Sequence, residues 1–147
     1  MRADLSAYIS FGGRTREALE YYQQSLGGEV TIETFQTWGI PTPPGHEDDV
    51  VYGVLRTDDG FVIRARDHRF DEDSNDHPHP DDGQEACRDW ALCLNGEEVE
   101  RLTDCWERLA RHATIIEPLK ITPWGDRNGV LIDPFGVRWV VNIGDSQ

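Results

Sequence analysis

The sequence predicts an α+β fold of two tandem βαβββ modules, with curled mixed sheets enclosing a cleft. Three observations carry this expectation. The motif GVLxxxxG occurs at Gly53 to Gly60 and again at Gly129 to Gly136, an offset of 76. Phe11-Gly12-Gly13 and Leu94-Asn95-Gly96 each precede a helical stripe, and at their offset of 83 Leu19 falls on Leu102 and Leu26 on Leu109. Between the copies, Asp67 to Arg88 is rich in Asp, His and Pro and has no apolar period, so it reads as a linker. Neither copy is large enough to close a core alone. The two are therefore expected to form a single domain, with module one at about 3–67, an acidic linker at about 68–88 and module two at about 89–144.

The first strand is Ala7 to Phe11, ended by Gly12-Gly13. Thr15 is placed to cap the following helix, in which Glu17 suits the first turn and Leu19, Tyr22 and Leu26 recur at helical spacing until Gly27-Gly28. Glu29 to Phe35 reads as a strand. Gln36 to Asp49, with its IPTPPG core, cannot pair in a sheet interior and reads as a surface loop. Val50 to Arg56 and Phe61 to Arg66 form the first hairpin.

The second copy restarts at Trp90 to Leu94, after which Asn95 and Glu98 suit a capping box. Val99, Leu102, Trp106 and Leu109 form the core stripe of its helix, which ends near Arg111. Ala113 to Ile121 supplies a strand broken around Glu117-Pro118. Gly129 to Ile132 and Val137 to Ile143 then form a hairpin around Asp133-Pro134-Phe135-Gly136, with Pro and Gly where a type I turn favours them.

Composition narrows the function classes. Of 147 residues, 28 are Asp or Glu and 14 Lys or Arg, a formal charge of −14 that repels phosphate backbones and anionic lipids. This argues against nucleic acid and membrane as partners. No run suits a signal sequence or a membrane span, so a cytoplasmic location is expected. Cys87, Cys93 and Cys105 share no CxxC spacing and read as reduced thiols.

ISFGGRTREALEYYQQSLGGEV, followed much later by WGDRNGVLIDPFGVRWVVNI, resembles the PhnB-like branch of the vicinal-oxygen-chelate superfamily, the glyoxalase, bleomycin-resistance and extradiol-dioxygenase group. The acidic linker and the Pro-rich loop match nothing in that pattern. The resemblance implies a homodimer, and it implies that metal-dependent members carry a His or Glu ligand on the first and last strand of each module. Carried over, the first-strand position falls on Ala7 and, by the offset of 83, on Trp90; the last-strand position falls on Val140 and, by the offset of 76, on Arg64. None of these side chains suits a divalent ion, so no metal and no other cofactor is expected.

A rival metal site is His68, His77 and His79 among Asp71, Asp73, Asp76, Asp81 and Asp82, but a linker without regular structure does not fix ligands, and a solvated acidic loop explains it. Arg64 and Arg66 share one strand face, as do Arg138, Val140 and Asn142, so these arginines either converge on an anionic group or pair with nearby carboxylates. Trp90, Tyr52 and Trp124 are the aromatic candidates for a binding cleft, while Trp106 and Trp139 are assigned to the core. Turn and surface roles explain Asp126, Arg127 and Asp133. His46 and His112 have no identifiable catalytic partner, and no nucleophile, phosphate-loop or dinucleotide motif is present.

These residues predict a small-molecule-binding protein without the usual metal, its ligand held by Trp90, Tyr52, Trp124, Arg64 and Arg138. The alternatives are a metal-dependent lyase, isomerase or dioxygenase with non-standard ligands, and a scaffold whose cleft is filled by its own side chains.

Overall fold

The computed structural model describes residues 3–67 and 90–144. His68, His77, His79, the linker aspartates and Cys87 lie outside the described residues.

Module one runs β1 (Ala7–Ser10), α1 (Thr15–Leu26), β2 (Glu29–Thr34), α2 (Phe35–Trp38), β3 (Val50–Arg56) and β4 (Val62–Arg66). Module two runs β5 (Leu92–Gly96), α3 (Val99–Ala110), β6 (Thr114–Ile121), β7 (Arg127–Ile132) and β8 (Arg138–Ile143). Each contains one four-stranded mixed sheet, ordered β1-β4-β3-β2 in the first and β5-β8-β7-β6 in the second. The outer pairs β1–β4 and β5–β8 are parallel and the remaining neighbours antiparallel. The duplicated βαβββ pattern expected from the repeats is present, with the one-turn helix α2 added where the sequence suggested only loop.

In each module a helix covers one sheet face. Leu19, Tyr22 and Leu26 of α1 are buried with Ile9, Leu55, Ile63 and Ala65 of the sheet. Leu102, Cys105, Trp106 and Leu109 of α3 are buried with Leu94, Leu131, Trp139, Val141 and Ile143. The repeated glycines have a physical cause. A Cβ on Gly53 would lie 2.7 Å from Leu19 Cδ1, and one on Gly129 would lie 2.7 Å from the Trp106 ring, so the central strand of each sheet is bare where the helix bears on it.

Two expected caps are displaced. Thr15 is the first residue of α1 rather than its cap, and its N–H donates to Asp67 Oδ1 at 2.9 Å. Asp67 also accepts from the Val50 N–H at 2.8 Å, so one buried carboxylate ties the ends of β4 and β3 to the start of α1. Asn95 is not a cap either: the pairing of β5 with β8 continues to Gly96 and keeps it in the strand, and Glu98 takes the cap position. Asp133 and Asp126 exceed the surface roles expected of them. Asp133 is buried and accepts from the N–H groups of Phe135 and Val137 and from Trp139 Nε1, at 2.8 to 3.0 Å, which locks the second hairpin turn. Asp126 is also buried, with Oδ2 3.4 Å from Asn142 Nδ2.

Candidate functional site

Strand alternation and helix placement decide which side chains face away from the core. In module one, Ile9, Ile63, Ala65 and Gly53 lie on the α1 side, so Tyr8, Ser10, Arg64, Arg66, Tyr52 and Glu33 share the open face. The parallel register sets Tyr8 beside Arg64 and Ser10 beside Arg66. Next to them stands Trp38, presented by α2, whose N-terminus is capped by the Thr34 side chain and whose C-terminus closes on Gly39 at φ 69°.

These groups form a connected cluster. Arg64 Nε donates to the Tyr52 hydroxyl at 3.0 Å. Its two terminal nitrogens meet the Asp4 carboxylate at 2.7 and 3.2 Å, and Nη1 also reaches Ser6 Oγ. The paired guanidinium holds the Asp4 carboxyl below the ordinary aspartate range, and Asp4 and Tyr52 together push the Arg64 pKa up. Arg66 is held differently: Nε donates to Ser10 Oγ at 2.8 Å, and the guanidinium carbon sits 5.4 Å from the centroid of the Tyr8 ring. Tyr8 packs edge-on against Tyr52, and Tyr52 stacks with Trp38 at 6.0 Å between centroids and 25° between planes. Burial pushes the Tyr8 phenol above its ordinary value, so it stays protonated at neutral pH and donates to the Val51 carbonyl at 3.2 Å. Trp38 Nε1 donates to the Glu33 carboxylate. Tyr8 and Trp38 are nevertheless 52% and 50% exposed, so aromatic surface remains open to a ligand.

Of the expected site residues, Arg64 and Tyr52 are thus brought into contact, and Arg64 takes the carboxylate pairing that was one of its two readings. Trp90, Trp124 and Arg138 belong to module two. Trp90 is 43% exposed and precedes β5 by two residues, while Trp124 is 71% exposed in the β6–β7 turn. Arg138 lies on the open face of β8 with Val140 and Asn142, and its Nε is buried with no hydrogen-bond partner among the described residues. Beside it, Asn142 Nδ2 donates to Asn95 Oδ1 at 3.1 Å and Asn128 Nδ2 donates to Asn142 Oδ1 at 3.2 Å, a row of amides across three strands.

Register corrects the carried-over ligand positions. Ala7 pairs with Ile63 on the helix-covered face, whereas Arg64 pairs with Tyr8. In module two Val140 pairs with Cys93, and Trp90 lies outside the paired strand. The open-face positions are therefore Tyr8 and Arg64 in one module and Cys93 and Val140 in the other. The correction shifts the first-strand offset by two, which no repeat in the sequence signals. A neutral phenol, a guanidinium, a thiol and an alkyl group do not make a donor set for a divalent ion. No group of three or more His, Cys, Asp or Glu is arranged to hold a metal among the described residues. His46 Nδ1 lies 2.6 Å from Asp49 Oδ2, a local loop contact.

Tyr8, Trp38, Ser10 and Asp4 were missed from sequence. Tyr8 carried a signal, as a large aromatic alternating with buried Ile9; Trp38 carried none, because α2 sits in a stretch that reads as loop.

The sequence model of the Glyoxalase/Bleomycin resistance protein/Dioxygenase superfamily matches residues 7–141. Protein YjdN of Escherichia coli (strain K12) is 25% identical over 144 residues, 97% of each chain. Among solved structures, protein PA1353 from Pseudomonas aeruginosa superposes with a TM-score of 0.75 at 28% identity, covering 97% of this chain and 98% of the other. The PhnB protein from Bacillus cereus superposes with a TM-score of 0.68 at 19% identity, covering 97% of this chain and 100% of the other. No helix among the described residues is long and apolar enough to cross a membrane.

Proposed function

Because the chain belongs to the glyoxalase/bleomycin resistance protein/dioxygenase superfamily, we propose that it is a small-molecule-binding protein whose ligand, an anionic group on a flat body, lies on the open face of module one. The observation that supports this reading is the meeting of Tyr8, Tyr52 and Trp38 with Arg64 and Arg66 on one partly exposed surface. Aromatic planes supply area at little conformational cost, and a few polar groups orient what they hold.

The two arginines divide the work. Arg64 has its fork filled by Asp4, so it stiffens the face. Arg66 uses only Nε, on Ser10, among the described residues, and its terminal nitrogens are the anion anchor. The reading gives the ligand Tyr8 and Arg66 as platform and anchor in place of Trp90 and Arg64 among the residues expected to hold it, and it requires no metal, because Arg64 and Val140 cannot serve as ligands.

Fluorescence quenching by aromatic carboxylates, compared for wild type, Arg66→Met and Trp38→Leu, tests the proposal. Quenching that Arg66→Met weakens about tenfold or more supports the anchor. Selective binding of planar cations, unaffected or improved by Arg66→Met, would overturn it in favour of a cation-sequestering protein. Stoichiometric zinc, nickel, manganese or iron surviving gel filtration would favour a metal-dependent lyase, isomerase or dioxygenase with non-standard ligands.

A further inference from the structure

On the opposite side of the sheet in module two, α3 does not close fully on the edge strand. Thr103, Trp106 and Glu107 recur at i, i+3 and i+4 and so share one helix face. With Leu119, Lys120 and Ile121 of β6 and Arg127 of β7 they line a cavity of about 360 Å³. The opening has a local cause. Pairing of β6 with β7 slips between Glu117 and Lys120, where Pro118 has no N–H to give, and a bulged strand bends.

We propose that this cavity is a binding site for a small apolar monocarboxylate, separate from the open face of module one and independent of the function proposed for it. Trp106 offers a flat floor, held against the strand because Gly129 has no Cβ, and Leu119 and Ile121 supply apolar walls. Ile121 is 66% exposed, so part of this wall is left to solvent. Lys120 and Arg127 outnumber Glu107, which sets the preferred ligand charge to negative. The volume falls at the small end of ligand pockets, suited to a single ring or a short branched chain with one acid group. The chain's net charge of −14 opposes an anion at long range, but salt screens that field beyond about 8 Å.

Titration of the 15N-labelled full chain with phenylacetate and with its neutral isostere phenylacetamide tests the site. The expected result is a saturable shift of the Trp106 indole resonance by phenylacetate. Arg127→Met should weaken this about tenfold. Arg66→Met should leave it unchanged, which separates this site from the open face of module one. An equal response to phenylacetamide, no shift at Trp106 up to about 10 mM, or full binding by a folded Arg127→Met variant would overturn the proposal.

Discussion

Arg64 Nε donates to the Tyr52 hydroxyl at 3.0 Å, joining β4 to β3 across the open face of module one. The same Tyr52 ring stacks on Trp38, so one side chain both orients a guanidinium and carries an aromatic platform. Tyr52→Phe keeps the ring and removes only the acceptor. It is expected to weaken binding of an aromatic carboxylate by about two- to fivefold with little change in melting temperature. Tyr52→Leu, which removes the platform as well, should weaken it further. Equal quenching titrations for Tyr52→Phe and wild type would show that the hydroxyl does not matter to the ligand.

The Asp4–Arg64 pair sets a pH dependence. The Asp4 carboxyl is held below its ordinary value of 3.8, chiefly by its hydrogen bond to Arg64. A depressed folded-state pKa means that the pair contributes stability fully above the ordinary value and loses it as pH falls through the lower folded-state value. The melting-temperature difference between wild type and Asp4→Asn should therefore be constant from neutral pH down to the ordinary aspartate value, shrink below it, and vanish once pH has passed the lower folded-state value. At neutral pH the same substitution frees the Arg64 fork, so binding of an aromatic carboxylate should tighten. A difference that persists in strong acid would assign the effect to something other than this pair.

Gly53 and Gly129 should not tolerate alanine equally. At Gly53 the nearest obstacle is the end of the Leu19 side chain, at 2.7 Å, which can rotate. At Gly129 the new Cβ would meet the Trp106 ring at 2.7 and 2.9 Å and the Leu119 Cα at 3.0 Å, none of which moves easily. Gly129→Ala is expected to cost about 2–3 kcal/mol and Gly53→Ala about 1 kcal/mol or less. Urea denaturation measures both, and a larger loss at Gly53 would contradict this packing argument.

The β6 edge should govern assembly. Ile115, Ile116, Ile121 and Trp124 are exposed along this strand and the turn after it, apolar groups on a sheet edge that pairs with no further strand among the described residues. Such edges invite pairing unless covered. A homodimer is expected in light scattering at tens of micromolar, as the family resemblance implied, and Ile116→Lys should shift the mass toward the monomer. A monomeric wild type would remove this edge as an interface.

What the sequence determined by itself is local and periodic. The GVLxxxxG repeat, the two helical stripes and the Asp133-Pro134 turn specify two βαβββ modules, and burial of Trp106 and Trp139 follows from their place in those patterns. The reason is that period and turn chemistry act over a few residues and are written where they act. Faces and partners are set otherwise. Whether Ala7 or Tyr8 looks outward depends on the register of β1 against β4, more than fifty residues later in the chain. The cap of α1 comes from Asp67 rather than from Thr15 beside it. Arg64 finds Asp4 only because β1 runs parallel to β4 and brings the preceding segment alongside. Tertiary structure alone decided these, because a one-residue change of register turns every side chain of a strand to the opposite face.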